Sequence, residues 1–210
     1  MRVMSPGVCH HQKGGDQAAK PIACFAPVCP DGYHTVTCKC GGAPYCAHSQ
    51  GCNILHKASR SAGYQSKREQ VVPELATPAC RAPQLDVEGW STSHSSRLLI
   101  DFSIRHPCTA HYSSGQSATV VAGREKTGHY GSRQGLVVRT AAMETFGRHG
   151  ADLVALLEQL ADLARQRDIA FGLPPTRWLR KWRAQLSLAV ARMIGRAIQS
   201  ACPPGSPSLC

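Results

Sequence analysis

Leu98, Ile100, Phe102 and Ile104 alternate with Leu99, Asp101, Ser103 and Arg105. A period of two marks residues 97–104 as a strand with one apolar face, and Pro107 ends it. Upstream, residues 85–87 read as a second strand, with Ser91-Thr92-Ser93-His94-Ser95 as the polar turn between the two. Asp86 and Asp101 are separated by fourteen residues, so their midpoint falls at Ser93/His94. A symmetric antiparallel hairpin then sets the two carboxylates opposite each other, with Cβ atoms about 4.5–5.5 Å apart. Carboxylates at that spacing can share one hard divalent cation such as Mg²⁺, an arrangement suited to phosphodiester hydrolysis. Asp101 lies on the strand face opposite Phe102, a costly place for a charge unless a cation or a donor compensates it. The competing reading is the solvated face of an edge strand.

The surrounding pattern predicts a mixed α/β chain. Residues 53–62 read as a short helix, with Asn53 as N-cap, Gly63 as the stop, and Ile54, Leu55, Ala58 and Ala62 on one face. An extended stretch over 64–72 carries Glu69, which is either a third acid at the site or a solvated strand charge. Residues 119–133 read as a helix interrupted by Gly123 and Gly128, with Lys126 and Tyr130 at i and i+4 on one side. A lysine placed beside a scissile phosphate can orient the attacking water and offset developing negative charge. A further strand is expected from 136 to about 140, and Glu144 is expected as a helix-start carboxylate rather than an acid on the sheet edge. Leucines at helical spacing predict a helix over 151–167. After Pro174 and Pro175, a second amphipathic helix pairs Trp178, Trp182, Leu186 and Met193 with a basic face of Arg177, Arg180, Lys181, Arg183, Arg192 and Arg196.

A formal net charge of +11 favours a polyanion partner, because basic side chains displace the counterions of a phosphate backbone. Seven of the eleven cysteines precede residue 53, interspersed with His10, His11, His34 and His48. The early residues lack the basic-then-apolar run of a signal peptide. Reduced or metal-bound thiols are therefore expected, in a protein of the cytosol or nucleus that is not secreted. No stretch approaches the roughly 20 consecutive apolar residues of a membrane span. Within the cysteine-rich segment, Cys24-x4-Cys29 followed by His34-x3-Cys38 offers four thiolate or imidazole ligands in two short pieces, a pattern that suits tetrahedral zinc. The organisation expected is a disordered N-terminus (1–20), a zinc-knuckle-like segment (21–52), an α/β core (53–147), a helical region (148–201) and a disordered tail (202–210).

An ordered set of pieces carries a resemblance: Asp31-Gly32-Tyr33-His34 with Cys38, Gly41-Gly42, His48, Ala62-Gly63-Tyr64, Glu69, Asp86, Leu99-Ile100-Asp101-Phe102, Glu125-Lys126, Tyr130 and Glu144-Thr145-Phe146-Gly147. It resembles the region after the polymerase in non-LTR retrotransposon reverse transcriptases, a zinc knuckle followed by a restriction-endonuclease-like domain. The resemblance spans roughly residues 24–199 and includes nothing like a polymerase. It implies a restriction-endonuclease-like α/β fold, with a three- to four-stranded mixed sheet flanked by helices, an N-terminal zinc knuckle and a C-terminal helical pair. It further implies that Cys24, Cys29, His34 and Cys38 hold Zn²⁺ and that Asp86 and Asp101 hold Mg²⁺. Glu69 would assist, and Lys126 with Tyr130 would complete the catalytic set. The implied activity is nicking of target DNA, with RNA as a second nucleic-acid partner. The chain departs from the pattern at Ala47-His48-Ser49, which stands for Arg-His-Asn, and at Leu85, which stands for proline before Asp86. The alternative reading is a catalytically inactive nucleic-acid-binding relic in which the acids are structural.

Overall fold

A computed structural model describes residues 12–13, 22–23, 33–38, 43–78, 81–91, 96–108, 112, 116–130, 136–167 and 174–201. The two expected zinc ligands Cys24 and Cys29 lie outside the described residues, as do nearly all of the expected N-terminal tail and the C-terminal one. At the start, β1 (Gln12–Lys13) pairs antiparallel with β2 (Ile22–Ala23). A one-turn helix, α1 (Tyr33–Thr37), follows.

The main body runs α2 (Ala43–Ser61), β3 (Gln65–Val71), β4 (Gln84–Ser91), β5 (Ser96–Arg105), α3 (Ala118–Tyr130), β6 (Val138–Glu144), α4 (Ala151–Arg167) and α5 (Pro175–Ala201). Its four strands lie in the order β3-β4-β5-β6, antiparallel twice and then parallel. The parallel pair requires a long crossover, which α3 supplies. The protein is therefore α/β, with a four-stranded mixed sheet flanked by helices.

Helix α2 begins ten residues before the expected start at Asn53. The reason is its packing surface: Ala43, Ala47, Cys52, Leu55 and Ala58 are buried at spacings that hold one face toward the core. Gly51 belongs to that face, and a Cβ on it would overlap the Phe102 ring. The helix stops where the sequence says it should. Gly63 has φ +102°, its N–H bonds the Arg60 carbonyl at 3.0 Å, and the Tyr64 N–H bonds the Ser59 carbonyl at 3.0 Å. This pair of bonds satisfies the last carbonyls of the helix through a left-handed residue that only glycine adopts cheaply.

The alternation of β5 divides the interior in two. Leu98, Ile100 and Phe102 pack with Leu55 and Ala58 of α2, Leu153, Leu156 and Leu160 of α4, and Trp178, Trp182 and Leu186 of α5. On the other face, Leu99 packs with Leu85, Tyr130, Val72 and Leu75. Pro175 sits at the first turn of α5, where its missing N–H costs nothing. Trp178 donates its indole N–H to Ser61 Oγ at 3.1 Å, tying α5 to the end of α2.

Two local expectations are corrected. Helix α3 is continuous through Gly123 and Gly128, because Ala118, Thr119, Ala122 and Tyr130 anchor it by burial. Glu144 is the last residue of β6, paired in register with Arg105, and is not a helix-start carboxylate. Buried Ala141, Ala142 and Met143 carry the strand to that point, and α4 begins only after a turn that contains Gly147 at φ +85°. Among the described residues, no helix is long and apolar enough to cross a membrane.

Candidate functional site

Asp101 has the same parity on β5 as Leu99, so its side chain turns toward the α3 face of the sheet. It is almost fully buried. A carboxylate withdrawn from water costs several kcal/mol unless it is paired and hydrogen-bonded. Here the Tyr130 hydroxyl donates to Oδ2 at 2.5 Å, and the Lys126 ammonium lies 3.0 Å from Oδ1 and 2.8 Å from Oδ2. One turn of α3 separates Lys126 from Tyr130, and this spacing is what lets both side chains reach one carboxylate. The structure thus brings together Asp101, Lys126 and Tyr130.

Asp86 is reached through the register of the sheet. The pairing of β4 with β5 stops at Val87↔Ile100, so Asp86 lies one residue past the last paired position. On the other side, the pairs Arg68↔Val87 and Gln70↔Leu85 bracket Glu69 and Asp86. The ladder is interrupted between those two pairs, where Glu69 takes the left-handed φ of 54°. Leu85 packs with Leu99 and Tyr130, whereas Val87, two residues on, packs with Ile100 on the opposite face. In a regular strand those two would share a face, so β4 turns over at Asp86.

That turn aims Asp86 at α2. Its Oδ2 accepts the Phe102 N–H at 2.6 Å and lies 3.5 Å from His48 Nε2. Cys52, one turn along α2 from His48, places Sγ 3.6 Å from His48 Nδ1. Burial pushes the Asp86 carboxyl up, but the hydrogen bond and charge of His48, with the Phe102 N–H and Cys52, hold it below its ordinary value. His48 is raised, chiefly by its hydrogen bond to Asp86, and Asp101 adds to the effect. Both acids therefore act on one imidazole. Burial and then the Asp86 charge push the Cys52 thiol far above its usual range, so without a metal it is a neutral thiol.

Glu69 does not join them. Its carboxylate meets the Arg68 guanidinium at 2.7 Å on an exposed edge, and it forms no ligand group with Asp86 and Asp101. The reason is local: the left-handed backbone at Glu69 leaves its side chain over half exposed, against Arg68, which also bonds Asn53 Oδ1 at 2.6 Å. Of the expected zinc ligands, His34 lies on α1 and Cys38 follows it, buried. Among the described residues, the one group of three clustered metal-ligating side chains is His48, Cys52 and Asp86.

His48 and Lys126 line a common cleft of about 560 Å³, with Phe102, Ser103, Arg105 and His106 on its walls. The cleft lies between the N-terminal part of α2, the distal half of β5 and α3. Sequence reasoning left His48 and Cys52 out of this site. Their i, i+4 spacing was the available signal, and starting the helix at Asn53 hid it. Neither a family model nor a curated protein matches the chain.

Proposed function

We propose that the chain is a DNA-nicking endonuclease domain of the restriction-endonuclease type, derived from a non-LTR retrotransposon reverse transcriptase. The observation that carries this reading is the convergence of Lys126 and Tyr130 on the buried Asp101, with the Asp86 carboxylate bonded to the N–H of the next residue, Phe102. The four-stranded mixed sheet flanked by helices agrees with the architecture that the resemblance implies.

Asp86 and Asp101 offer the oxygen donors that Mg²⁺ takes, but they face α2 and α3, so one side chain would have to turn for both to hold one ion, the remaining positions falling to water and phosphate oxygens. Bound there, Mg²⁺ would polarise the scissile phosphate as a Lewis acid. The chain's own groups supply the rest. Lys126, about a third exposed toward the cleft, carries the positive charge that offsets negative charge growing on the phosphate and can position the attacking water. Tyr130 is a positioning residue that fixes the rotamer of Asp101. His48, hydrogen-bonded to Asp86, can hold a proton at the cleft wall. The formal charge of +11 and the exposed cations Arg177, Arg180, Lys181, Arg183 and Arg192 of α5 suit a DNA or RNA backbone as partner. A zinc knuckle on Cys24, Cys29, His34 and Cys38 would add a second nucleic-acid contact, and nucleus or cytoplasm is the compartment proposed.

Relaxation of supercoiled plasmid with Mg²⁺ tests the proposal. Wild-type protein should nick and Asp101→Ala should not; equal rates would end the assignment. One observation favours the second reading, an inactive nucleic-acid-binding relic: both oxygens of Asp101 are already engaged within the protein. In that case DNA affinity falls steeply with salt, needs no divalent ion, and is unchanged by Asp101→Asn.

A further inference from the structure

His48 and Cys52 stand one turn apart on α2, and Asp86 reaches them from β4. One donor atom from each residue lies within 4.8 Å of the other two. Bond lengths of about 2.0–2.3 Å to nitrogen, oxygen and sulfur put neighbouring ligand atoms of a tetrahedral zinc site roughly 3.3–3.8 Å apart. About the one nitrogen His48 Nε2, the separations here are 3.9 Å to Cys52 Sγ and 3.5 Å to Asp86 Oδ2. The ligand atoms are therefore already near tetrahedral-edge distances before any ion is added.

The backbone of Phe102 holds this arrangement in the metal-free protein. His48 Nε2 lies 3.0 Å from the Phe102 carbonyl. A carbonyl only accepts, so in the metal-free protein Nε2 carries the proton and donates, and an ion bound at Nε2 would take the place of that proton. The Phe102 N–H likewise anchors Asp86 at 2.6 Å. A single residue of β5 thus orients two of the three ligands through its backbone.

We propose that His48, Cys52 and Asp86 form a binding site for one transition-metal ion of the zinc class, with a fourth position open to the cleft. An imidazole and a thiolate select zinc or cobalt over magnesium and calcium, which prefer oxygen donors throughout. Three protein ligands with one vacancy is the ligand count of metal sites that bind water or substrate. The site shares Asp86 with the Mg²⁺ pair of the nuclease reading, so a zinc-class ion here competes with Mg²⁺ for that carboxylate. The site itself requires no DNA cleavage.

The test uses the full chain carrying Cys24→Ser and Cys29→Ser, stripped with chelator and titrated with Co²⁺. One tightly bound cobalt per chain, with a near-ultraviolet thiolate-to-cobalt charge-transfer band, is expected. Cys52→Ser should remove the band, and His48→Gln should weaken binding by at least about tenfold. His48 is over a third exposed, so His48→Gln provides a folded variant if Cys52→Ser disturbs the core. Failure to take up cobalt, or uptake unaffected by His48→Gln, overturns the proposal. Plasmid nicking, read in parallel, keeps the two ideas apart. A cobalt site without nicking removes only the nuclease, and nicking without a cobalt site removes only the metal site.

Discussion

Asp86 and Asp101 lie on adjacent strands of the sheet, yet they are stabilised by opposite means. Asp101 is neutralised by cationic and hydroxyl side chains from α3, a helix that crosses over to the next strand. Asp86 is held by a backbone N–H, an imidazole and a thiol on the α2 side. The first environment is built from charge and suits interaction with a phosphate oxygen. The second is built from nitrogen and sulfur donors and suits a softer ion. The difference comes from a single reversal of β4 at Asp86, which sends the two carboxylates toward different helices.

The largest effect should come from Asp101→Ala, which removes the acceptor that organises Lys126 and Tyr130. Nicking should fall at least about 10²-fold, measured as the initial rate of supercoiled plasmid relaxation, whereas Lys126→Ala should fall less. Equal losses in these two variants would mean that the α3 side acts as one unit. Gly51→Ala attacks the other side, because its methyl would press on the Phe102 ring, whose backbone serves both Asp86 and His48. Overpacking of this kind costs about 1–3 kcal/mol, and a denaturant melt should register it. Unchanged stability would show that the α2 side yields without strain.

Tyr130→Phe removes one hydrogen bond to a carboxylate and leaves the lysine in place, so a stability loss of about 1–2 kcal/mol is expected. The smallest effect concerns pH. His48 is raised above 6.5, so its contribution is complete below that value and is lost as pH rises through the raised pKa. Asp86 is lowered below 3.8, so its contribution is present above that value and is lost as pH falls through the lowered pKa. The pair therefore stabilises the metal-free protein most between about pH 4 and 6.5. The thermal midpoint in chelator should decline above that window, and the decline should flatten in His48→Gln. Parallel curves for the two proteins would remove the pairing.

Much of the architecture was legible because it rests on short-range periodicity. The alternation at Leu98–Ile104 named a strand, the symmetric spacing about Ser93/His94 anticipated the register that pairs Val87 with Ile100, and Gly63 marked a helix end. The leucines after Asp152 defined α4 from Ala151 to Arg167. The start of α2 was missed because its first half is polar or small and buries itself through Ala43, Ala47 and Gly51 rather than through large apolar residues. Glu144 was misjudged because a terminal strand residue and a helix-start acid look alike without knowledge of what lies beside them.

The sequence by itself determined that Lys126 and Tyr130 share a helical face and that Asp101 stands on the strand face opposite Phe102. Each follows from a repeat of two or 3.6 residues along a single chain segment. Only the tertiary structure decided which helix each carboxylate meets, because that choice depends on the reversal of β4 at Asp86. A strand reversal is a contest between burial of Leu85 beneath Tyr130 and continuation of the hydrogen-bonded ladder, and no local pattern records its outcome.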